Sequence, residues 1–228
     1  MRGPLVQQRK NREPEAEKAP FLVVQKIREA ILDETFKPGE RLPESTLGEM
    51  FEVSRSPVRE ALLALEKEGT VVIEPFKGAT VKALSPEEAL DIADLRLALI
   101  TLAVKRAYRH LSQADFDSAY DSAKKATRSK TAIEHFKYNH QFWDLILEKS
   151  QRSIVREVFA QLENRSVRYE PLLMKLFPDP ATRPRQREVL IELLRKGEID
   201  EASRAFKKIY AEVVQQIVDC LQSNKSGD

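Results

Sequence analysis

Arg55 and Arg59 stand one helical turn apart in the run Ser54-Arg55-Ser56-Pro57-Val58-Arg59. If that run opens a helix, both guanidinium groups leave it on the same side. An arginine there can grip guanine O6 and N7 in a DNA major groove with two hydrogen bonds, worth about 1–3 kcal/mol of discrimination. Ser54 and Ser56 add short hydroxyls beside them, and a helix N-terminus favours phosphate oxygens. Further along, Lys77 supplies charge for a phosphate backbone and Gly78 lets the main chain approach closely. Two isolated arginines would only solvate a surface, so the chemistry depends on the frame that holds them.

The elements around these residues supply such a frame. Val23, Ile27, Ala30 and Ile31 recur at three- and four-residue spacing, which predicts a helix over 21–34. Lys37-Pro38-Gly39 breaks it. A short second helix is expected over 43–51, with Pro43 tolerated in its first turn. Ser54 is placed to cap a third helix over 55–68, with Pro57 early in it and Val58, Ala61, Leu62 and Leu65 on one face. Two β-like runs, 70–74 and 79–82, flank the turn Pro75-Phe76-Lys77-Gly78. The sum is a winged helix-turn-helix.

From Ser85 onward the pattern is helical. Ser85-Pro86-Glu87-Glu88 is a strong helix start. Leu90, Ala93, Leu95, Ala98, Leu99, Leu102 and Ala103 make that helix apolar almost all round, which predicts a central, buried position. Another helix starts at Ser112-Gln113-Ala114-Asp115, and further ones are expected over 130–149, 152–176, 184–195 and 199–222. The fold class is therefore mainly α: a winged helix-turn-helix over 21–84, then an antiparallel all-helical bundle over 85–224. Residues 1–20, with three prolines and few large apolar side chains, read as a disordered tail.

Composition narrows the function classes. The 228 residues carry a net charge of only +2, and residues 21–84 hold nine Lys and Arg against eleven Asp and Glu. DNA binding would thus rest on local placement, mainly Arg55, Arg59, Arg41 and Lys77, rather than on a basic domain. The single cysteine, Cys220, allows no intrachain disulfide and fits a reducing cytoplasm. No apolar run approaches the length of a membrane span. There is no nucleophile elbow, no phosphate-cradling glycine loop and no zinc-type His/Cys spacing, so no enzyme is expected.

Residues 24–81 resemble the DNA-binding domain of the GntR family of transcriptional regulators. The matching segments are Ile27-Arg28-Glu29-Ala30-Ile31-Leu32, Lys37-Pro38-Gly39-Glu40-Arg41-Leu42 and Val53-Ser54-Arg55-Ser56-Pro57-Val58-Arg59-Glu60-Ala61-Leu62, then Gly69 and Gly78-Ala79-Thr80-Val81. The resemblance implies DNA contacts by Ser54, Arg55, Ser56, Pro57 and Arg59, with wing contacts near Lys77 and Gly78. The chain departs from the family at Glu44-Ser45, where an arginine is frequent, and at Glu52, where a glycine is usual.

Residues 86–222 resemble the helical FCD-type effector domain of the FadR branch of that family, with Arg96 and Gly197-Glu198-x-Asp200-x-Ala202 as landmarks. That resemblance implies a homodimer, a palindromic double-stranded operator and a small-molecule effector. Many such domains hold a divalent metal with an aspartate and three histidines. Here Asn139, Trp143, Arg187 and, by ungapped alignment, Ile209 stand at those positions. No metal or other cofactor is therefore expected. His135 and His140 are five residues apart and face different directions on a helix, and His110 sits elsewhere. Two readings of the bundle interior stay open. In one, Arg96, Asn139, Trp143 and Arg187 line an effector pocket whose arginines suit an anion such as a carboxylate. In the other, the core is filled and the domain serves only dimerisation or protein contact.

Overall fold

The structure, a computed structural model, describes residues 13–225. The chain divides into two compact units, Met1–Ala83 and Leu84–Asp228. The N-terminal unit holds α1 (Glu13–Leu32), α2 (Glu44–Phe51), α3 (Arg55–Lys67), β1 (Val71–Glu74) and β2 (Gly78–Val81). The two strands form an antiparallel hairpin in which Val71 faces Val81 and Glu74 faces Gly78. The spacing-derived faces are the buried ones: Val23, Ile27, Ala30 and Ile31 of α1 and Val58, Ala61, Leu62 and Leu65 of α3 form this unit's core with Leu42, Leu47, Val71 and Val81.

Residues 1–12 of the expected tail lie outside the described residues, and residues 13–20 are helical rather than tail. Glu, Ala and Lys between Pro14 and Pro20 are good helix formers, and Pro14 falls in the first turn, where it removes no helical bond.

The C-terminal unit holds α4 (Pro86–Ala107), α5 (Gln113–Arg128), α6 (Ala132–Lys149), α7 (Ser153–Ser166), α8 (Glu170–Leu176), α9 (Gln186–Arg195) and α10 (Ile199–Lys225). Ser85 caps α4 by accepting from the Glu88 N–H, and Ser112 with Asp115 closes a reciprocal capping box on α5. The core is built around Phe142, Trp143, Phe159 and Phe206, with Trp143 edge-on to Phe142 and Phe206. Among the described residues no helix is long and apolar enough to cross a membrane.

Two expectations need correction. The helix anticipated over 152–176 is broken at Ser166: a 3-10 turn over Val167–Tyr169 separates α7 from α8. Pro171 lies in the first turn of α8 and has no N–H with which to continue α7. Nor is α4 buried all round. Leu95 is 55% and Leu102 50% exposed, while Ile92, Ala93, Arg96, Ile100, Ala103 and Val104 face inward. The inward stripe suffices to seat α4 on α6, α7 and α10, and leaves an apolar outer face.

Candidate nucleic-acid interface and ligand cavity

In the N-terminal unit the turn between α2 and α3 runs through Glu52, whose backbone is left-handed at φ 56° and ψ 44°. The Val53 N–H then donates to the Gly48 carbonyl at 3.0 Å. Gly48 permits this closure, because a Cβ there would stand 3.1 Å from the Val53 carbonyl oxygen. Ser54 occupies the cap position of α3, but its hydroxyl makes no capping bond, so the expected side-chain cap is not formed. Arg55 and Arg59 are exposed, and neither makes a hydrogen bond or ion pair with the described residues. Ser56 is committed instead to Glu60, donating from Oγ at 3.1 Å. Pro57 is half-buried.

The hairpin is tied back to the loop before α2. The Gly39 N–H donates to Val81 O, the Val81 N–H to Glu40 O and the Leu42 N–H to Ala79 O, each at 2.8 Å. This pairing sets Arg41 opposite Thr80. As a result Arg41, Arg59, Lys77 and Gly78 border one concavity between α3 and the hairpin. Ser54 and Arg55 instead border a neighbouring groove against Glu44, Ser45 and Glu49. Lys77 pairs with Glu74 at 2.7 Å on the open surface, and that bond, with Arg41 nearby, holds the Glu74 carboxyl below its ordinary value. An exposed pair of this kind is screened by solvent and yields readily to a phosphate.

The C-terminal unit encloses a cavity of about 90 Å³. A water molecule needs about 10–15 Å³ on the same measure, so there is room for a small organic molecule. Arg96 on α4, Asn139 and Trp143 on α6, and Arg187 on α9 all line it. The break between α7 and α8 brings Ser166 and Glu170 to the same wall, and α10 contributes Phe206 and Tyr210. Ile209 is not among the lining residues. Phe206, Tyr210, Val213 and Ile217 follow the three- and four-residue stripe of α10, and one residue off that stripe turns the side chain about 100° away.

A buried hydrogen-bond chain crosses the polar part of the wall. Arg187 donates to Asn139 Oδ1 at 2.9 Å and contacts His135 Nε2 at 3.1 Å. A guanidinium has no acceptor, so Nε2 accepts and Nδ1 carries the proton toward Glu170 Oε2, 2.6 Å away. Burial by itself would raise the Glu170 carboxyl, yet His135, then Arg96 and Arg187, hold it below its ordinary value. Burial lowers Arg187 to about 10. Arg96 donates to Ser166 Oγ at 3.1 Å and lies over the Phe159 ring, 5.0 Å from its centroid. Three buried polar atoms of this wall have no hydrogen-bond partner: Arg96 Nε, Arg187 Nε and Gln186 Oε1.

These side chains do not fit a metal ion. Of the groups at the expected ligand positions, the Arg187 guanidinium and the Trp143 indole offer donors only, and the guanidinium repels a cation. Among the described residues no group of three or more His, Cys, Asp or Glu is placed to hold one.

Comparison with known proteins settles the lineage. Residues 22–81 match the family described as bacterial regulatory proteins, gntR family, and residues 91–212 match the FCD domain. The chain belongs to the GntR family and carries an FCD domain. That family is one of transcriptional regulators, not of enzymes. This GntR-family chain is 28% identical over 142 residues to the HTH-type transcriptional regulator YdhC of Bacillus subtilis, covering 60% of its own length and 63% of that relative's. It is 22% identical over 204 residues to the HTH-type transcriptional repressor RspR of Escherichia coli, covering 87% and 88% of the two chains. Its fold is similar to that of E. coli McbR/YncC, with a TM-score of 0.70 at 23% identity over 91% of this chain and 98% of the other.

Sequence reasoning on this GntR-family chain named four cavity residues and missed His135, Ser166, Glu170 and Tyr210. Pro171 was the available signal: a helix break there makes Glu170 an inward-facing first-turn residue. His135 lies one turn before Asn139 on α6, so a pocket assigned to Asn139 includes it by spacing alone.

Proposed function

We propose that this chain is a dimeric, cytoplasmic regulator that binds double-stranded operator DNA, with its operator affinity modulated by a small anionic effector in the C-terminal unit. On this reading residues 21–84 read DNA and residues 85–224 dimerise and bind the effector. The observation that carries it is the pair Arg55 and Arg59, exposed at the start of α3 with no partner among the described residues. Ser54, Ser56, Pro57, Arg41, Lys77 and Gly78 complete the proposed contact set. Charged groups left uncommitted at a helix N-terminus are available to base edges and phosphates.

The apolar outer face of α4, with Leu95 and Leu102, lies on a helix packed against α7, whose Ile154 is 74% exposed. A second copy covering this face would give a two-fold dimer and present two α3 helices to a palindromic site. The cavity supports the effector part of the reading, with Arg96, Asn139, Trp143 and Arg187 as its contacts and a carboxylate as the suited anion.

Selection of bound fragments from a genomic DNA pool tests the proposal. Enrichment of one palindromic sequence, with binding that weakens steeply as salt rises, is expected. Recovery of no preferred sequence by the intact chain would overturn it.

A further inference from the structure

The inference below rests on the anionic-effector reading and sharpens it to a ligand class. The cavity wall holds two buried guanidinium groups, Arg96 and Arg187, against one carboxylate, Glu170. Neither arginine forms an ion pair with a carboxylate among the described residues. His135 brings no negative charge to the wall and so is no counterion to either arginine. The cavity lining therefore carries more positive than negative charge, and both guanidinium groups are buried, an arrangement that favours an anionic ligand. The unpartnered Nε atoms of the same two arginines give that ligand its donors.

The cavity also has direction. Ala93 of α4 packs on Val214 and Val218 of α10, whereas Ile100 belongs with Phe206 in the aromatic cluster, so α4 and α10 run antiparallel. Moving one to two turns from Arg96 toward the start of α4, and from Tyr210 toward the end of α10, every lining residue is apolar: Ala89, Ile92, Val213, Val214 and Ile217. Leu173 of α8 completes this section. A charged group at the arginines thus continues into largely apolar surroundings, where the hydroxyl of Tyr169 is already engaged by Ser85.

We propose that the ligand is a small monocarboxylate with an apolar substituent, its carboxylate held directly by Arg96 and Arg187 and its substituent lying between α4, α8 and α10. Arg187 stands at a position where related domains place a metal ligand, so a fixed cation of the chain itself takes the anion. Binding is then independent of divalent metal.

Calorimetric titration of the intact chain, kept in EDTA, tests this with hexanoate, acetate, hexan-1-ol, glutarate and citrate as probes. Hexanoate is expected to bind at least about tenfold more tightly than acetate, because its methylenes leave water. It is expected to exceed hexan-1-ol and glutarate by a similar factor. Arg187→Gln is expected to weaken hexanoate by about tenfold or more, through loss of a charge-assisted bond. The probe series on the unaltered chain decides the matter even where that variant fails to fold. Hexanoate binding abolished by EDTA and restored by zinc would overturn the proposal. Citrate or glutarate binding more tightly than hexanoate would overturn it too, while leaving the anionic-effector reading intact. If none of the anions binds, both fall; whether the same sample still retains a specific DNA fragment then decides the regulator assignment separately.

Discussion

Arg187 and Asn139 are joined inside the C-terminal unit by a 2.9 Å hydrogen bond, and Asn139 passes the connection on to Glu163 through its Nδ2, 3.3 Å away. All three side chains are buried. Asn139 therefore satisfies both a guanidinium donor and a carboxylate acceptor. Asn139→Leu keeps the branching and number of side-chain heavy atoms and removes both bonds. Each unsatisfied buried group costs about 1–3 kcal/mol, so a loss of roughly 2–6 kcal/mol is expected in a denaturant titration. A loss below about 1 kcal/mol would show that water or a rearranged partner replaces the amide.

The DNA contacts separate by kind. Arg55→Ala is expected to narrow the gap between operator and scrambled DNA by about 1–3 kcal/mol, because a base contact carries sequence information. Lys77→Ala is expected to weaken both DNAs alike and to reduce the salt slope by about one, the signature of a phosphate contact. Ser56→Ala should change little, since its hydroxyl is already given to Glu60. Gel-shift titrations of the three variants at several salt concentrations distinguish these outcomes.

His140 reports on the far end of the Asn139 network. Its hydrogen bond to Glu163 holds the ring above its ordinary value, against the opposing effect of burial. The folded chain thus keeps this proton more tightly than the unfolded chain. The associated stabilisation is full below about pH 6.5 and is lost as pH rises through the folded value. Thermal midpoints should fall between about pH 6 and pH 8, and His140→Gln should flatten that fall. Because the ring is half-exposed, solvent screens the pair and the effect is modest. A ring titration by NMR with a midpoint below that of free histidine would contradict the assignment.

The outer face of α4 makes the dimer testable apart from DNA. Leu95 and Leu102 lie two turns apart on that face and belong to neither core cluster. Leu95→Glu combined with Leu102→Glu should leave the melting of the isolated subunit unchanged while halving the mass measured by light scattering. An unaltered mass would move the interface elsewhere.

How far the sequence could be read depends on how local the cause is. The faces of α1 and α3 follow from apolar spacing within one helix, and the hairpin follows from its turn residues, so both were legible. Arg55 and Arg59 were placed by the same one-turn rule. The break before Glu170 was not, because Pro171 is also compatible with a helix interior kink, and only packing decides between the two. The exposure of Leu95 and Leu102 is likewise a matter of how many neighbours α4 acquires, which spacing within α4 does not encode. The cavity depends on four helices and a break meeting at one place, so its polar wall was visible only in part. Tyr210 rather than Ile209 faces the arginines because a one-residue error, harmless in a loop, rotates a helical side chain by about 100°.

Glu52 shows a cost carried in the DNA-reading unit. It ends α2 in the left-handed region, where a side chain other than glycine is disfavoured by about 1–2 kcal/mol. Glycine there removes that cost but enlarges the freedom of the unfolded chain by roughly 0.4–1 kcal/mol. The difference favours Glu52→Gly by up to about 1.6 kcal/mol. Glu52→Ala retains the backbone penalty and should match the parent within about 0.5 kcal/mol, as an exposed substitution does. Glu52→Val, branched at Cβ, should fall below both. Denaturant midpoints ordered glycine, then glutamate with alanine, then valine are expected. Equal midpoints for glycine and valine would mean that the turn relaxes out of the left-handed region.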